Sequence, residues 1–286
     1  MKYTLVFLLF LLYGFIPVDT LQNTFGYIKG YYQIKTKSYD DCIECYSSPD
    51  DLMRINKINK QLSNMSYVMA SAFIVMHKDK ETFLMTSGHV CAELKSFISD
   101  IKFKKFSLEL QDVILKREGL FEDSKLFNLY FVDTEVVVYS YKGEKYKLKS
   151  IKAIDEKKDM CIINTESNWG EKVNFAKDDC IYEDVFNMSS SGGYYYPNAV
   201  PIRRGIINKV VASQKFNDRV FENVNLYTLN VKPGASGSAV FNKKGEVCGS
   251  VNISYSNLDL SSGASRKDLI DFLQYHKSSL WYSSCV

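Results

Sequence analysis

The sequence predicts an all-β protein with a helix at its C-terminal end and a helical or mixed insertion. Three observations carry that prediction. The 286 residues include twenty Tyr and eighteen Phe, side chains that suit pleated, half-buried surfaces. Short apolar runs recur in pairs around polar or glycine-bearing turns, the pattern of antiparallel hairpins. The stretch after Ser265 shows helical spacing instead, with Leu269, Ile270, Phe272 and Leu273 on one face and Ser265 as N-cap.

The elements follow in chain order. Met1-Lys2 and the apolar run from Val6 to Val18 suit a secretory signal peptide over residues 1–19. The run is short against the roughly 20 apolar residues of a spanning helix. No clean cleavage site follows, so an uncleaved signal anchor is the second reading. Both readings export the chain, to a secreted or periplasmic location, with membrane contact only through this segment if it is uncleaved. Residues 20–66 are polar and aromatic and read as an N-terminal arm. A first barrel is expected over 67–175. It opens with a hairpin in which Ser71–Met76 and Thr82–Met85 flank a polar turn from His77 to Glu81. Ala92 to Asp133 reads as an insertion in which Leu108–Leu115 suits helix or strand, a surface elaboration or a flap over a site. Glu135–Tyr141 and Lys145–Ile151 pair about Lys142-Gly143-Glu144.

A second barrel is expected over 176–262. Its loop Ser189-Ser190-Ser191-Gly192-Gly193 leads into Tyr194-Tyr195-Tyr196-Pro197, aromatics that either hold a ligand or pack the loop. Val240 to Val247 is a hairpin leading into Gly249–Ile253. Residues 263–286 form the C-terminal helix and tail.

Composition sets limits. A hydrophobic share of 46% supports a sizeable core, and a net charge of +3 makes no case for nucleic acid. Seven cysteines leave at least one unpaired within a monomer. Cys42 and Cys45 form a C-x-x-C that fits a disulfide, a metal half-site or a redox pair; no second such pair exists to complete a zinc site, so no metal or cofactor is implied. Cys161 and Cys248 lie in apolar strands and are expected as buried thiols.

The chemistry centres on Lys232-Pro233-Gly234-Ala235-Ser236-Gly237-Ser238-Ala239-Val240. It places a serine between glycines just ahead of a strand. Glycine permits positive φ and close approach, so amide N–H groups can converge. A serine hydroxyl is a weak nucleophile that needs a base, and a reacting carbonyl needs N–H donors for its oxyanion. Among three histidines, His89 stands at the end of a strand in Thr86-Ser87-Gly88-His89, whereas His77 falls in a turn and His276 in the helical tail. Asp159 opens the strand Asp159-Met160-Cys161-Ile162-Ile163 and can orient an imidazole. Asp155 is its local rival, set apart by Glu156, Lys157 and Lys158.

These residues resemble a family. Thr86-Ser87-Gly88-His89, Asp159-Met160-Cys161-Ile162-Ile163 and Gly234-Ala235-Ser236-Gly237-Ser238 are similar to the three signatures of chymotrypsin/trypsin-like serine proteases, in the same chain order. Within that superfamily the look is toward HtrA-like (Deg) trypsin-like peptidases, without a PDZ domain. Pro233–Gly237, Ala239–Asn242, Gly245–Gly249 and Asn252 carry this likeness, and Arg204-Gly205-Ile206-Ile207 resembles a strand that opens part of their second barrel. The resemblance spans roughly residues 66–260. It implies two six-stranded antiparallel β-barrels and a serine endopeptidase acting on polypeptide substrates. Ser236 would be the nucleophile, His89 the base and Asp159 its partner, with the N–H groups of Gly234 and Ser236 as oxyanion donors. Val251-Asn252-Ile253 would pair with substrate backbone. Asn230 would lie near the base of the pocket for the residue before the cleaved bond, uncharged and so without demand for Arg or Lys. The alternative is a catalytically inactive fold of the same kind that binds partners or serves at a surface. Ala235 departs from the family: an acid there pairs with a new N-terminal ammonium in trypsin-type zymogens, and alanine cannot. Ser238 and Ala239 replace a glycine and a proline, both by small residues.

Overall fold

The computed structural model describes residues 18–36, 68–99, 130–216, 219–255 and 257–282, with single positions between 49 and 60. The apolar run up to Pro17, the Cys42–Cys45 pair, Leu108–Leu115 and Cys285 lie outside the described residues. Among the described residues no helix is long and apolar enough to cross a membrane.

A short helix α1 (Val18–Thr24) runs directly into strand β1 (Phe25–Thr36). Then come β2 (Val68–Lys78), β3 (Glu81–Thr86), helix α2 (Gly88–Ser99), β4 (Tyr130–Ser140), β5 (Lys145–Asp155) and β6 (Met160–Thr165). These strands close a barrel in the order β1-β2-β3-β6-β5-β4. The β2–β3 hairpin turns on Asp79 and Lys80, both at positive φ (48° and 68°), the backbone that matches the right-handed twist of paired strands. His77 therefore belongs to β2, opposite Thr82, and not to the turn as expected. The stretch from residue 20 also departs from its reading as an arm, since it supplies β1. Alternating Tyr and Ile suit a strand, and Gly26 lies where a Cβ would meet Leu84 at 2.8 Å and Val138 at 3.0 Å. The expected insertion begins as helix, in α2, and returns to strand at Tyr130.

The remaining strands are β7 (Asn174–Phe175), β8 (Asp184–Met188), β9 (Ile202–Phe216), β10 (Arg219–Tyr227), β11 (Ser238–Phe241), β12 (Glu246–Val251), β13 (Ile253–Tyr255) and β14 (Leu260–Ala264), followed by helix α3 (Arg266–Tyr282). They form an eight-stranded sheet ordered β13-β14-β10-β9-β8-β11-β12-β7. A bridge between Gly249 and Ser265, and Asn252 N donating to Ser262 O at 2.8 Å, return β12 to β14. Six strands thus come round on themselves, with β13 and β7 as short extensions. The double-barrel class read from the motifs is the fold observed.

Among the described residues, those within 1–28, 69–91 and 138–286 make up one compact unit and those within 29–68 and 92–137 another. In the first unit Phe73, Phe83, Met85 and Ile162 share a core with Phe186, Phe241, Val247, Leu269 and Phe272. Each such buried side chain stabilises by roughly 1.5–3 kcal/mol relative to exposure. A second cluster fills the other barrel with Val185, Ile207, Leu229, Val231, Val240 and Val251. Tyr195 packs its ring on Tyr27 at 4.8 Å and donates to Ser140 O, while Tyr194 and Tyr196 are exposed. In the other unit Tyr32 packs on Phe97 at 5.1 Å, and the Tyr31 hydroxyl is hydrogen-bonded to Glu135. Helix α3 starts as its sequence predicts: Ser265 Oγ accepts from Asp268 N at 3.2 Å and donates to Asp268 Oδ2 at 2.7 Å. Lys158 Nζ meets the buried Asp268 carboxylate at 2.5 Å, which raises the lysine pKa and ties the helix to the β5–β6 turn.

The expectation of free thiols at Cys161 and Cys248 is overturned. Cys91 is bonded to Cys161 and Cys180 to Cys248. An apolar strand context is shared by packed thiols and buried bridges, so sequence alone does not separate them. The first bridge joins the helix bearing His89 to the strand that follows Asp159, across a separation of 70 residues. Loop-closure entropy for that length is about 4 kcal/mol. The Cys91→Ala/Cys161→Ala variant is therefore expected to lose about 2–5 kcal/mol of stability, read from denaturant midpoints. An unchanged midpoint would show that packing alone holds this half of the barrel.

Candidate active site

The loop from Lys232 to Gly237 is the second part of the connection from β10 to β11. Gly234 has φ 98° and Gly237 φ 83°, conformations that favour glycine. A Cβ on Gly237 would meet Ser71 O at 2.5 Å and Thr86 Cα at 2.7 Å. Gly237→Ala combines αL strain with overpacking and is expected to cost about 2–5 kcal/mol, measured by equilibrium unfolding. A loss under about 1 kcal/mol would mean that the loop relaxes freely.

His89 lies in the first turn of α2, one residue past the glycine that ends the β3 connection. Gly88 permits this start, since a Cβ there would meet Asp155 O and Met160 N at 3.0 Å. The Asp159 carboxylate accepts from His89 N at 2.7 Å (Oδ1), and His89 Nδ1 lies 2.9 Å from Oδ2 and 3.1 Å from Oδ1. An ionised carboxylate only accepts, so Nδ1 carries the hydrogen and the neutral ring keeps its lone pair on Nε2. Asp159 itself is 1% exposed and sits at φ 52°, a conformation aspartate tolerates better than most residues. The rival Asp155 is occupied elsewhere: its Oδ1 accepts from Lys157 N and Lys158 N, both at 3.0 Å, and caps the turn that ends at Asp159.

Asn252 connects these parts. Its Nδ2 donates to Asp159 O at 2.8 Å and its Oδ1 accepts from Ser87 Oγ at 3.1 Å and Ser250 Oγ at 3.0 Å. Its main-chain oxygen accepts the Ser236 hydroxyl at 3.2 Å. One buried asparagine thus touches the peptide of Asp159, the residue two before His89 and the hydroxyl of Ser236. Sequence reading places Asn252 beside substrate and misses this role, because Asp159 and Ser87 lie far off in the chain. Among the described residues, neither the Gly234 N–H nor the Ser236 N–H is given to a protein acceptor.

Two expectations for the surroundings change. Val251 does not offer its main chain outward, because it pairs with Ser238 and its carbonyl accepts from Gly237 N at 2.7 Å. Asn252 N is likewise committed to Ser262 O. Of the three residues expected to meet substrate backbone, Ile253 alone lies on β13, the end strand of the sheet. Asn230, expected near the base of a pocket, is exposed, and its Nδ2 donates to Asp259 Oδ1 at 2.6 Å, so a carboxylate stands beside it. The other histidines take no part: burial and Lys172 lower the His77 pKa, and burial lowers that of His276 against an opposing pull from Asp155. Among the described residues no cluster of acids, histidines and cysteines could hold a metal ion.

Comparison with solved structures places the architecture. The chain is similar to the Rv3671c protease from M. tuberculosis in its active form, with 13% identity, a TM-score of 0.56, and coverage of 90% of this chain and 82% of that one. It is also similar to a serine-to-alanine mutant of Rv3671c in its inactive form, from M. tuberculosis H37Rv, with 11% identity, a TM-score of 0.52, and coverage of 94% and 92%. At such identities the likeness is one of fold. Comparison with curated proteins returns no sequence match. The sequence model of the trypsin-like peptidase domain matches residues 70–249, a span that includes His89, Asp159 and Ser236. Because that span takes in well over half of the chain and most of both barrels, the protein belongs to the trypsin-like peptidase family.

Proposed function

We propose that the protein is a serine endopeptidase that cleaves peptide bonds through Ser236, His89 and Asp159 and a covalent acyl-enzyme. The observation that carries the reading is the bidentate seat of His89 Nδ1 on the buried Asp159 carboxylate, which leaves Nε2 as the basic nitrogen. In the reaction the Ser236 hydroxyl gives up its bond to Asn252 O and passes its proton to Nε2 as its oxygen attacks the scissile carbonyl. The Gly234 and Ser236 N–H groups stabilise the oxyanion. His89 then protonates the leaving amine. Water, deprotonated by the same imidazole, releases the acyl group and restores the serine. Substrate backbone adds as a strand along β13. The two disulfides fit export to an oxidising compartment.

One observation favours the alternative, a fold that binds without cutting: the Ser236 hydroxyl is directed at Asn252 O. Resting geometry often loosens and tightens again on substrate binding, so the bond does not decide the matter. A fluorophosphonate probe does. The proteolytic reading expects labelling of the wild type and none of Ser236→Ala, with cleavage of an unrelated denatured protein in trans. Purified wild type that neither labels nor cleaves leaves the binding role.

A further inference from the structure

The proposed oxyanion donors raise a question of timing. A peptide N–H points usefully at a ligand only if its peptide plane is held, and Ala235 rules out the ion pair that sets this loop in trypsin-type zymogens. Ala235 is 1% exposed among Leu229, Val231 and Val240, so an acid in its place would be buried in apolar surroundings. Something else must hold the planes on either side of Gly234.

Two buried serines hold the following plane, and the 191–193 turn holds the preceding one. Gly234 O accepts from Ser71 Oγ at 2.9 Å and from Ser190 Oγ at 2.8 Å, which fills both of its lone pairs. Each hydroxyl has one hydrogen, so with both aimed at Gly234 the Ser71 oxygen is left to accept Ser190 N at 3.0 Å. Ser191 Oγ accepts Lys232 N at 2.6 Å, and Gly192 N donates to Pro233 O at 2.6 Å. In a trans peptide C=O and N–H point opposite ways. The Pro233 carbonyl is drawn to the 191–193 turn, so the Gly234 N–H faces away from it. The Gly234 carbonyl is drawn to the two hydroxyls, so the Ala235 N–H faces away from them, toward Lys232 O at 3.1 Å. Ser71 N also donates to Ser236 O at 2.9 Å, holding the next plane but one. Ser71 and Ser190 are 0% exposed and Ser191 5%. Ser71 comes from β2 and Ser190 from the loop after β8, so the hold depends on both barrels being folded.

We infer that Ser71 and Ser190, by pinning the Gly234 carbonyl, and the 191–193 turn, by holding Lys232 N and Pro233 O, form a clamp on both sides of Gly234 that presets its N–H for the oxyanion once the chain has folded. The inference rests on the endopeptidase reading. These serines touch no reacting atom and act as positioning residues.

The test compares Ser71→Ala/Ser190→Ala with wild type on a peptide substrate, a peptidyl aldehyde and the matching peptidyl alcohol. The aldehyde forms a hemiacetal whose oxygen occupies the oxyanion position; the alcohol binds without one. The clamp expects kcat to fall about 10²–10³-fold and the aldehyde to weaken by a similar factor, with KM and alcohol affinity within about threefold. Ser190→Ala alone, which keeps the Ser71 hydroxyl, should show an intermediate loss and guards against misfolding of the double variant. Wild-type kcat and aldehyde affinity in both variants would overturn the clamp. So would equal weakening of aldehyde and alcohol. Wild type that labels with fluorophosphonate beside unaffected variants removes the clamp alone, whereas wild type that neither labels nor cleaves removes the endopeptidase reading and the clamp together.

Discussion

Replacing Ser236 by alanine should lower kcat by about 10⁵–10⁶-fold while leaving the fold intact. The magnitude follows from the roles proposed for Ser236 and His89. Without the hydroxyl the imidazole has no proton to take and no acyl-enzyme forms, so only binding and the oxyanion donors remain. The stability effect is small because the hydroxyl makes a single 3.2 Å bond to Asn252 O, a contact of about 0.5–1.5 kcal/mol. Paired measurements of turnover and thermal midpoint check both halves. A variant that keeps more than a thousandth of wild-type kcat would show that another group attacks the substrate.

Asp159→Asn should cost about 10⁴-fold in kcat with little change in KM. The carboxylate accepts from two N–H groups of one residue, His89 N at 2.7 Å and His89 Nδ1 at 2.9 Å. An amide has one accepting oxygen and one donating nitrogen, so it cannot serve both. If its oxygen stays with His89 N, its NH₂ faces Nδ1 and the ring must move its hydrogen to Nε2. The lone pair then points at the amide and not at the serine. The Ser236 proton has nowhere to go, although every heavy atom stays near its place. Activity retained within tenfold would mean that orientation of His89 comes from its helix and the Cys91 bridge, and not from Asp159.

How much of this was legible beforehand depends on how local each signal is. Ser236, His89 and Asp159 each carry their context in five to nine neighbouring residues: a glycine-bracketed loop before a strand, a strand end with Gly88, an acid opening an apolar strand. The hairpins around Gly143 and Gly245 were visible for the same reason. Apart from His77, the misreadings are questions of pairing over distance. Cys161 in its strand looks the same whether it packs as a thiol or bonds to Cys91. Phe25–Thr36 looks like an aromatic arm until its partners across the barrel are known. His77 reads as part of the turn because its polarity matches the residues after it, yet the turn needs only the two left-handed positions Asp79 and Lys80. Ser71 and Ser190 are 119 residues apart, and nothing near either one announces a shared carbonyl. Asn252 was singled out for its neighbours in sequence, while its partners are Asp159, Ser87 and Ser236.

The sheet carrying Ser236 terminates in strands of three residues, Ile253–Tyr255, and two, Asn174–Phe175. A long bare border would template stacking of one molecule on another, the usual route from folded protein to fibril. Among the described residues that border is brief, and the proposed substrate pairing would use only a few of its residues. If substrate pairs along β13 as proposed, lengthening that strand by design would strengthen the grip on a peptide at the cost of a longer bare border.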